Sequence, residues 1–60
     1  MKIKLVGALP QKLKDLGLTP GEIFYAEPAP NTKLGAVRFL IFKDDEWQFV
    51  TVYPENFKKL

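Results

Sequence analysis

Polar and apolar residues alternate in short runs along this chain, which is the pattern of half-buried β-strands. Residues 2–5 (KIKL) alternate strictly, and Gly7 and Pro10 lie beyond the end of this run. Residues 22–27 (EIFYAE) are rich in β-branched and aromatic side chains, and Pro28 follows them. Because proline cannot donate to a strand ladder, we expect the second strand to end there.

The longest apolar run, residues 36–43 (AVRFLIFK), predicts a central strand, since so many β-branched and aromatic residues disfavour a helix. An acidic turn at residues 44–46 reverses the chain, and residues 47–53 (WQFVTVY) return as the hairpin partner. Residues 54–57 (PENF) are long enough for a single 3₁₀ turn. Residues 58–60 then predict a short fifth strand.

The segment between the first two strands contains helical spacing but little room for a helix. Two leucines in residues 11–18 lie three positions apart, whereas Gly17 and Pro20 leave space for about one turn, too little for an independent helix. We expect a long ordered loop. Thr19-Pro20-Gly21 then predicts a type II turn, because proline presets the second position and glycine accepts a positive φ at the third.

Five short strands in 60 residues predict one all-β domain over residues 1–60, closed or nearly closed into a barrel that leaves few open edges. A composition of 47% hydrophobic and 27% charged residues agrees with a folded domain rather than a disordered chain. A chain this short needs nearly all its large apolar residues as core. Phe24, Phe39 and Phe57 are expected there.

Two motifs resemble the Src-homology-3 (SH3-like) small barrel. Residues 19–26 (TPGEIFYA) are similar to its x-x-G-D-x-φ-x-φ entry into the second strand, where φ is apolar, and residues 52–60 (VYPENFKKL) to its closing φ-P-x-N-Y-V-x-x-L segment. The acidic hairpin tip and the closing YPENF also resemble small barrels encoded by bacteriophages and prophages. The resemblance implies a five-stranded SH3-like barrel with one 3₁₀ turn near its C-terminus. It also implies a phage accessory protein that engages or inhibits a bacterial host protein in the host cytoplasm.

The chain departs from the signalling members of that family in the groove that binds polyproline. The signalling members carry an A-L-Y-D-Y stretch, whereas residues 8–12 (ALPQK) contain no aromatic residue. The signalling members also carry two adjacent tryptophans before the third strand, whereas the single Trp47 begins the fourth strand here. Pro54 and Phe57 do match groove-lining positions. We therefore expect a protein partner, but not polyproline docking in the familiar manner.

Both faces of the central hairpin carry apolar side chains. If Val37, Phe39 and Ile41 point into the barrel, then Arg38, Leu40 and Phe42 point outward. Two interpretations stay open: the loops at residues 8–20 and 28–35 cover the outer face as a second small core, or the face binds a protein partner or another copy of the chain. Tyr25 and Trp47 are further outward-facing candidates. The candidate partner-binding residues are Tyr25, Arg38, Leu40, Phe42, Trp47, Pro54 and Phe57.

The sequence contains no cysteine and no histidine. Disulfides, thiolate metal sites, cysteine nucleophiles and the commonest general base are therefore excluded. No catalytic residue, metal site or cofactor is predicted, and we do not expect an enzyme. The apolar run before Pro10 is too short for a membrane span or a signal-peptide core, so we expect a soluble, cytoplasmic protein.

The charge distribution keeps a nucleic-acid-binding small barrel as the alternative function. The net charge is only +2, but residues 1–19 hold four lysines and one aspartate, whereas residues 20–60 hold five basic and six acidic residues. Lysines beside strand aromatics can form a stacking platform for single strands. Because the net charge is small, we rank this alternative below protein binding. We expect any binding to nucleic acid to be weak and confined to low salt.

Overall fold

The structure, a computed structural model, describes residues 1–30 and 35–60. Within these residues, six short strands form two antiparallel three-stranded sheets. The strands are β1 (Lys2–Leu5), β2 (Ile23–Tyr25), β3 (Glu27–Pro28), β4 (Val37–Lys43), β5 (Glu46–Val52) and β6 (Phe57–Lys59). The first sheet has the order β2-β1-β6 and the second the order β3-β4-β5. The predicted all-β class is confirmed, as is the 3₁₀ turn, which spans Pro54–Asn56.

The expected closed five-stranded barrel is wrong, because six strands form two separate three-stranded sheets. The segment predicted as one strand over residues 22–27 is divided at Ala26 between these two sheets. Before this residue, β2 pairs with β1, and after it β3 pairs with β4 in the other sheet. Pro28 does not end the ladder, since the Ala29 amide donates to the Ala36 carbonyl at 2.9 Å on the far side of it. Hydrogen-bonded pairs alternate in antiparallel sheets, so the position of Pro28 requires no N–H.

Residues 11–15 form a short helix, α1 (Gln11–Asp15), where the sequence predicted an ordered loop. A helix this short is stabilised by tertiary packing, and Leu13 supplies it by lying in the buried core. Gly17, at a φ of 82°, ends the helix, and the Leu18 amide donates back to the Leu13 carbonyl at 3.2 Å. This bond and that from Gly17 to Lys14 form a Schellman motif. The expected type II turn is also present, with Gly21 at a φ of 98°.

The β4–β5 hairpin has the register that the alternation predicts. A two-residue turn at Asp44 and Asp45, both with positive φ, joins the strands, as in a type I′ turn. The inward residues of both strands, Val37 and Phe39 with Val50 and Val52, are buried in one core with Ile3 and Leu5 of β1. Of the three phenylalanines expected in that core, Phe39 is buried, whereas Phe24 and Phe57 are half-buried and pack against it.

Candidate protein-binding surface

The outer face of the β4–β5 hairpin carries two directly opposed apolar pairs. Leu40 lies opposite Phe49, and Phe42 lies opposite Trp47. Their exposed fractions are 49% and 53% for the first pair and 59% and 66% for the second. The predicted alternation is therefore confirmed, and it leaves a sheet face apolar at positions where soluble sheets usually carry polar residues.

Contacts within this face hold its side chains together. The Trp47 ring meets Phe42 edge-on, with ring centroids 5.3 Å apart, and the Arg38 guanidinium lies 3.9 Å above the centre of the Phe49 ring. Nε and Nη2 of Arg38 each lie 2.8 Å from the same Glu27 oxygen. The cation is thus balanced by a carboxylate and stacked on an aromatic ring, so it adds little net charge to the apolar surface.

Tyr25 extends this face beyond the hairpin. Its side chain is 78% exposed, and it borders a shallow hollow of about 460 Å³ that Leu40 and Phe49 also line. The structure thus brings together five of the seven predicted site residues, with Phe49 as a sixth member. We name this surface the outer patch; its members are Tyr25, Arg38, Leu40, Phe42, Trp47 and Phe49.

The outer patch is large for a chain of this size. If each of its four aromatic side chains offers about 200 Å² when fully exposed, their exposed fractions leave roughly 500 Å² open to solvent. The largest apolar patch on a typical monomer covers about 300–600 Å² and is often functional.

The interpretation in which residues 8–20 cover this face is wrong. Leu9, Leu13 and Leu18 from that segment belong to the same buried cluster as Phe39, so the segment packs on the inner side of the hairpin. The other proposed cover, residues 28–35, includes residues 31–34, which lie outside the described residues.

Two predicted site residues lie apart from the outer patch. Pro54 begins the 3₁₀ turn, and Phe57 begins β6 and packs against the core. Phe49 was not among the predicted site residues, although it lies two positions from Trp47 and side chains two apart in a strand share a face. Its exposure and its contact with the Arg38 guanidinium identify it in the structure.

Asn56 is a buried polar residue that the sequence did not single out. Its side-chain amide donates to the Val6 carbonyl at 3.2 Å and to the Ala8 carbonyl at 3.1 Å. Its backbone carbonyl accepts from the Val6 amide at 3.0 Å. Asn56 thus holds the chain after β1 against the 3₁₀ turn, which is a structural role. In the sequence, the only sign of this role was the asparagine in the Pro-x-Asn turn.

The outer face of the first sheet is basic. Lys4 lies directly opposite Lys58, and Lys2 lies on the same face of β1 as Lys4. The Lys2 ammonium is 5.9 Å from the centre of the Tyr25 ring. In the part of the chain that the structure describes, the Arg38–Glu27 contact is the only ion pair, so these lysines have no carboxylate partner there.

Among the described residues, no group of three or more acidic side chains is placed so that it could hold a metal ion. No helix in residues 1–30 or 35–60 is long and apolar enough to cross a membrane. Comparison with protein-family models, with curated proteins and with solved structures finds no match to this chain.

Proposed function

We propose that this protein is a non-catalytic binding module that captures a protein partner on the outer patch. The observation that carries the proposal is the contiguous apolar surface formed by the pairs Leu40–Phe49 and Phe42–Trp47 on a sheet face open to solvent. Burying roughly 500 Å² of aromatic surface would contribute about 12 kcal/mol before the costs of association. Trp, Tyr and Arg are the residues most enriched among interface hot spots.

The resemblance to SH3-like small barrels of bacteriophages supplies the partner class. We propose a phage accessory protein that binds or inhibits a bacterial host protein in the host cytoplasm. Two features support the fold family. The chain passes from β2 in the first sheet to β3 in the second sheet at Ala26, and a 3₁₀ turn that begins at Pro54 precedes the last strand. Self-association through the outer patch is the second form of this proposal.

A matched pair of charge substitutions tests the outer patch. Leu40→Glu places a carboxylate on it, and Ile23→Glu places one on a strand residue of almost equal exposure, 50%, on the other sheet. Both variants should keep the parent thermal midpoint, because both positions are half open to solvent. Only Leu40→Glu should lose capture of a bacterial protein from a nuclease-treated lysate, or lose self-association measured by size-exclusion chromatography with light scattering. A folded Leu40→Glu variant with unchanged capture and assembly refutes the proposal.

Nucleic-acid binding is the second candidate, favoured by the lysines on the outer face of the first sheet, which have no carboxylate partner among the described residues, and by the position of Lys2 beside Tyr25. The cluster of Lys2, Lys4 and Lys58 is small, so we expect anisotropy titrations with a labelled random single strand to show binding only at low salt. Lys4→Glu should abolish that residual binding. Micromolar or tighter binding at physiological salt would make nucleic acid the primary ligand and the lysines its contacts.

A further inference from the structure

The described strands differ sharply in how well their open edges are protected against further pairing. Natural sheets protect open edges by short strands, lysine, proline or bulges. Three of the four edge strands follow this rule. β2 has three residues, β3 has two and includes Pro28, and β6 has three and includes Lys58 and Lys59. By contrast, β5 has seven residues, and its only charged residue is Glu46 at the turn. The edge of β5 is therefore open to pairing.

The hairpin register shows which backbone groups face this edge. A two-residue turn makes the flanking pair, Lys43 and Glu46, a hydrogen-bonded pair, and such pairs then alternate along the ladder. The N–H and C=O groups of Trp47, Phe49 and Thr51 consequently point away from β4. None of these groups makes a backbone hydrogen bond along the edge with the residues that the structure describes.

A groove of about 680 Å³ runs along this edge, with α1 as its other wall. Its β5 lining includes inward residues such as Val50 and outward residues such as Thr51, so the groove follows the strand edge rather than one sheet face. Leu13 of α1 and Leu16, directly after the helix, line the opposite wall. The Lys43 ammonium donates to the Asp15 carbonyl at 3.1 Å and holds the end of this wall beside the hairpin.

We propose that the β5 edge binds an extended segment of a partner protein as an added antiparallel strand. The free N–H and C=O groups require an extended backbone, and the groove takes alternate apolar side chains. In the antiparallel orientation the C-terminal end of the segment reaches Asp44, Asp45 and Glu46, so basic residues are favoured there. This proposal rests on the proposed function, because it specifies how a protein partner is held beside the outer patch.

A synthetic peptide tests the edge directly. The probe is an amidated heptapeptide in which valine and threonine alternate before two C-terminal lysines, and its control ends in two glutamates. Hydrogen exchange of the full chain, followed by NMR, should show new protection at the Trp47, Phe49 and Thr51 amides upon addition of the lysine peptide. The amides of Gln48 and Val50, already bonded to β4, should change much less. The glutamate peptide should bind more weakly, on the order of tenfold, because its charges face the acidic turn.

Two substitutions at one position separate the backbone from the side chain. Thr51→Pro removes an outward N–H without removing a bond to β4, a position where an edge strand accepts proline. Thr51→Val keeps the N–H and nearly the same side-chain volume. We expect Thr51→Pro to weaken peptide binding by on the order of tenfold and Thr51→Val to leave it unchanged. The thermal midpoint of each variant shows whether it is folded. If Thr51→Pro fails to fold, the amide protection of the parent chain by the two peptides still tests the edge.

The outcomes distinguish this proposal from the proposed function. No protection at peptide concentrations up to about 1 mM, where a Kd of that size half-saturates the site, overturns the edge proposal. Equal binding by the Thr51→Pro and Thr51→Val variants overturns it as well. The same three amides could also become protected without peptide, to an extent that rises with protein concentration. That result would show that the edge pairs with β5 of a second copy of the chain, and it would overturn the proposal of a partner segment. If Leu40→Glu loses partner capture but Thr51→Pro retains it, the proposed function is supported and the edge proposal is overturned.

Discussion

Phe39 joins the two sheets, and its truncation tests the packing on which the outer patch depends. The side chain is 3% exposed, and its ring stacks on Phe24 of the other sheet with centroids 4.1 Å apart and planes inclined by 12°. Phe39→Ala therefore removes apolar contacts and leaves a cavity between two sheets. Neighbouring strands restrict how far that cavity can collapse.

The expected loss is large relative to the stability of the whole domain. Truncating a buried phenylalanine costs about 3–5 kcal/mol. A chain of 60 residues has a free energy of unfolding of about 3–9 kcal/mol on the usual scale per residue. We therefore expect Phe39→Ala to be largely unfolded at the low end of this range and strongly destabilised at the high end.

Phe42→Ala is the matched control, since Phe42 lies three residues further along β4 with its ring on the outer patch. Its exposed position and its contact with Trp47 limit the expected loss to about 1 kcal/mol. Urea unfolding followed by far-UV circular dichroism measures both losses, because the exposed Trp47 is a poor fluorescent reporter of the core. Equal destabilisation by the two substitutions would show that the inward and outward faces of β4 have been assigned incorrectly.

Two further substitutions test the supporting structure. Asn56→Ala should cost about 1–3 kcal/mol in urea unfolding, because the Val6 and Ala8 carbonyls lose a buried donor; a neutral result would show that water replaces the amide. Asp45→Gly should raise the thermal midpoint by relieving a φ of 62° in the type I′ turn, with a gain of about 0.5–1 kcal/mol, and a lower midpoint would show that the carboxylate stabilises the turn.

The hairpin was predictable from the sequence because local rules determine it. Alternation separated residues 37–42 into two faces and left open only which face is buried, and the acidic turn placed the reversal within one residue of where it occurs. The 3₁₀ turn followed from Pro54 for the same reason. These elements depend on neighbours in sequence, so the outer patch could be assembled almost completely before its geometry was known.

The missed features depend on contacts between distant segments. At the break, the Met1 ammonium donates to the Ala26 carbonyl and the Ala26 amide donates to the Met1 carbonyl, each at 2.7 Å. Ala26 therefore still pairs with the first sheet, and the residues directly after it pair with β4. Nothing within residues 22–27 marks that exchange of partners. Likewise, α1 is stabilised because Leu13 packs into the core that both sheets share, whereas the local sequence alone predicted a loop.

The two proposals are linked by the alternation that produced the hairpin. In β5, the side chains that point to the outer patch belong to the same residues whose backbone groups face the open edge: Trp47, Phe49 and Thr51. The two directions coincide because side chains and backbone N–H and C=O groups both alternate with period two along a strand, so the same residues carry both. A partner strand added there would place half of its side chains in the plane of the outer patch and enlarge it.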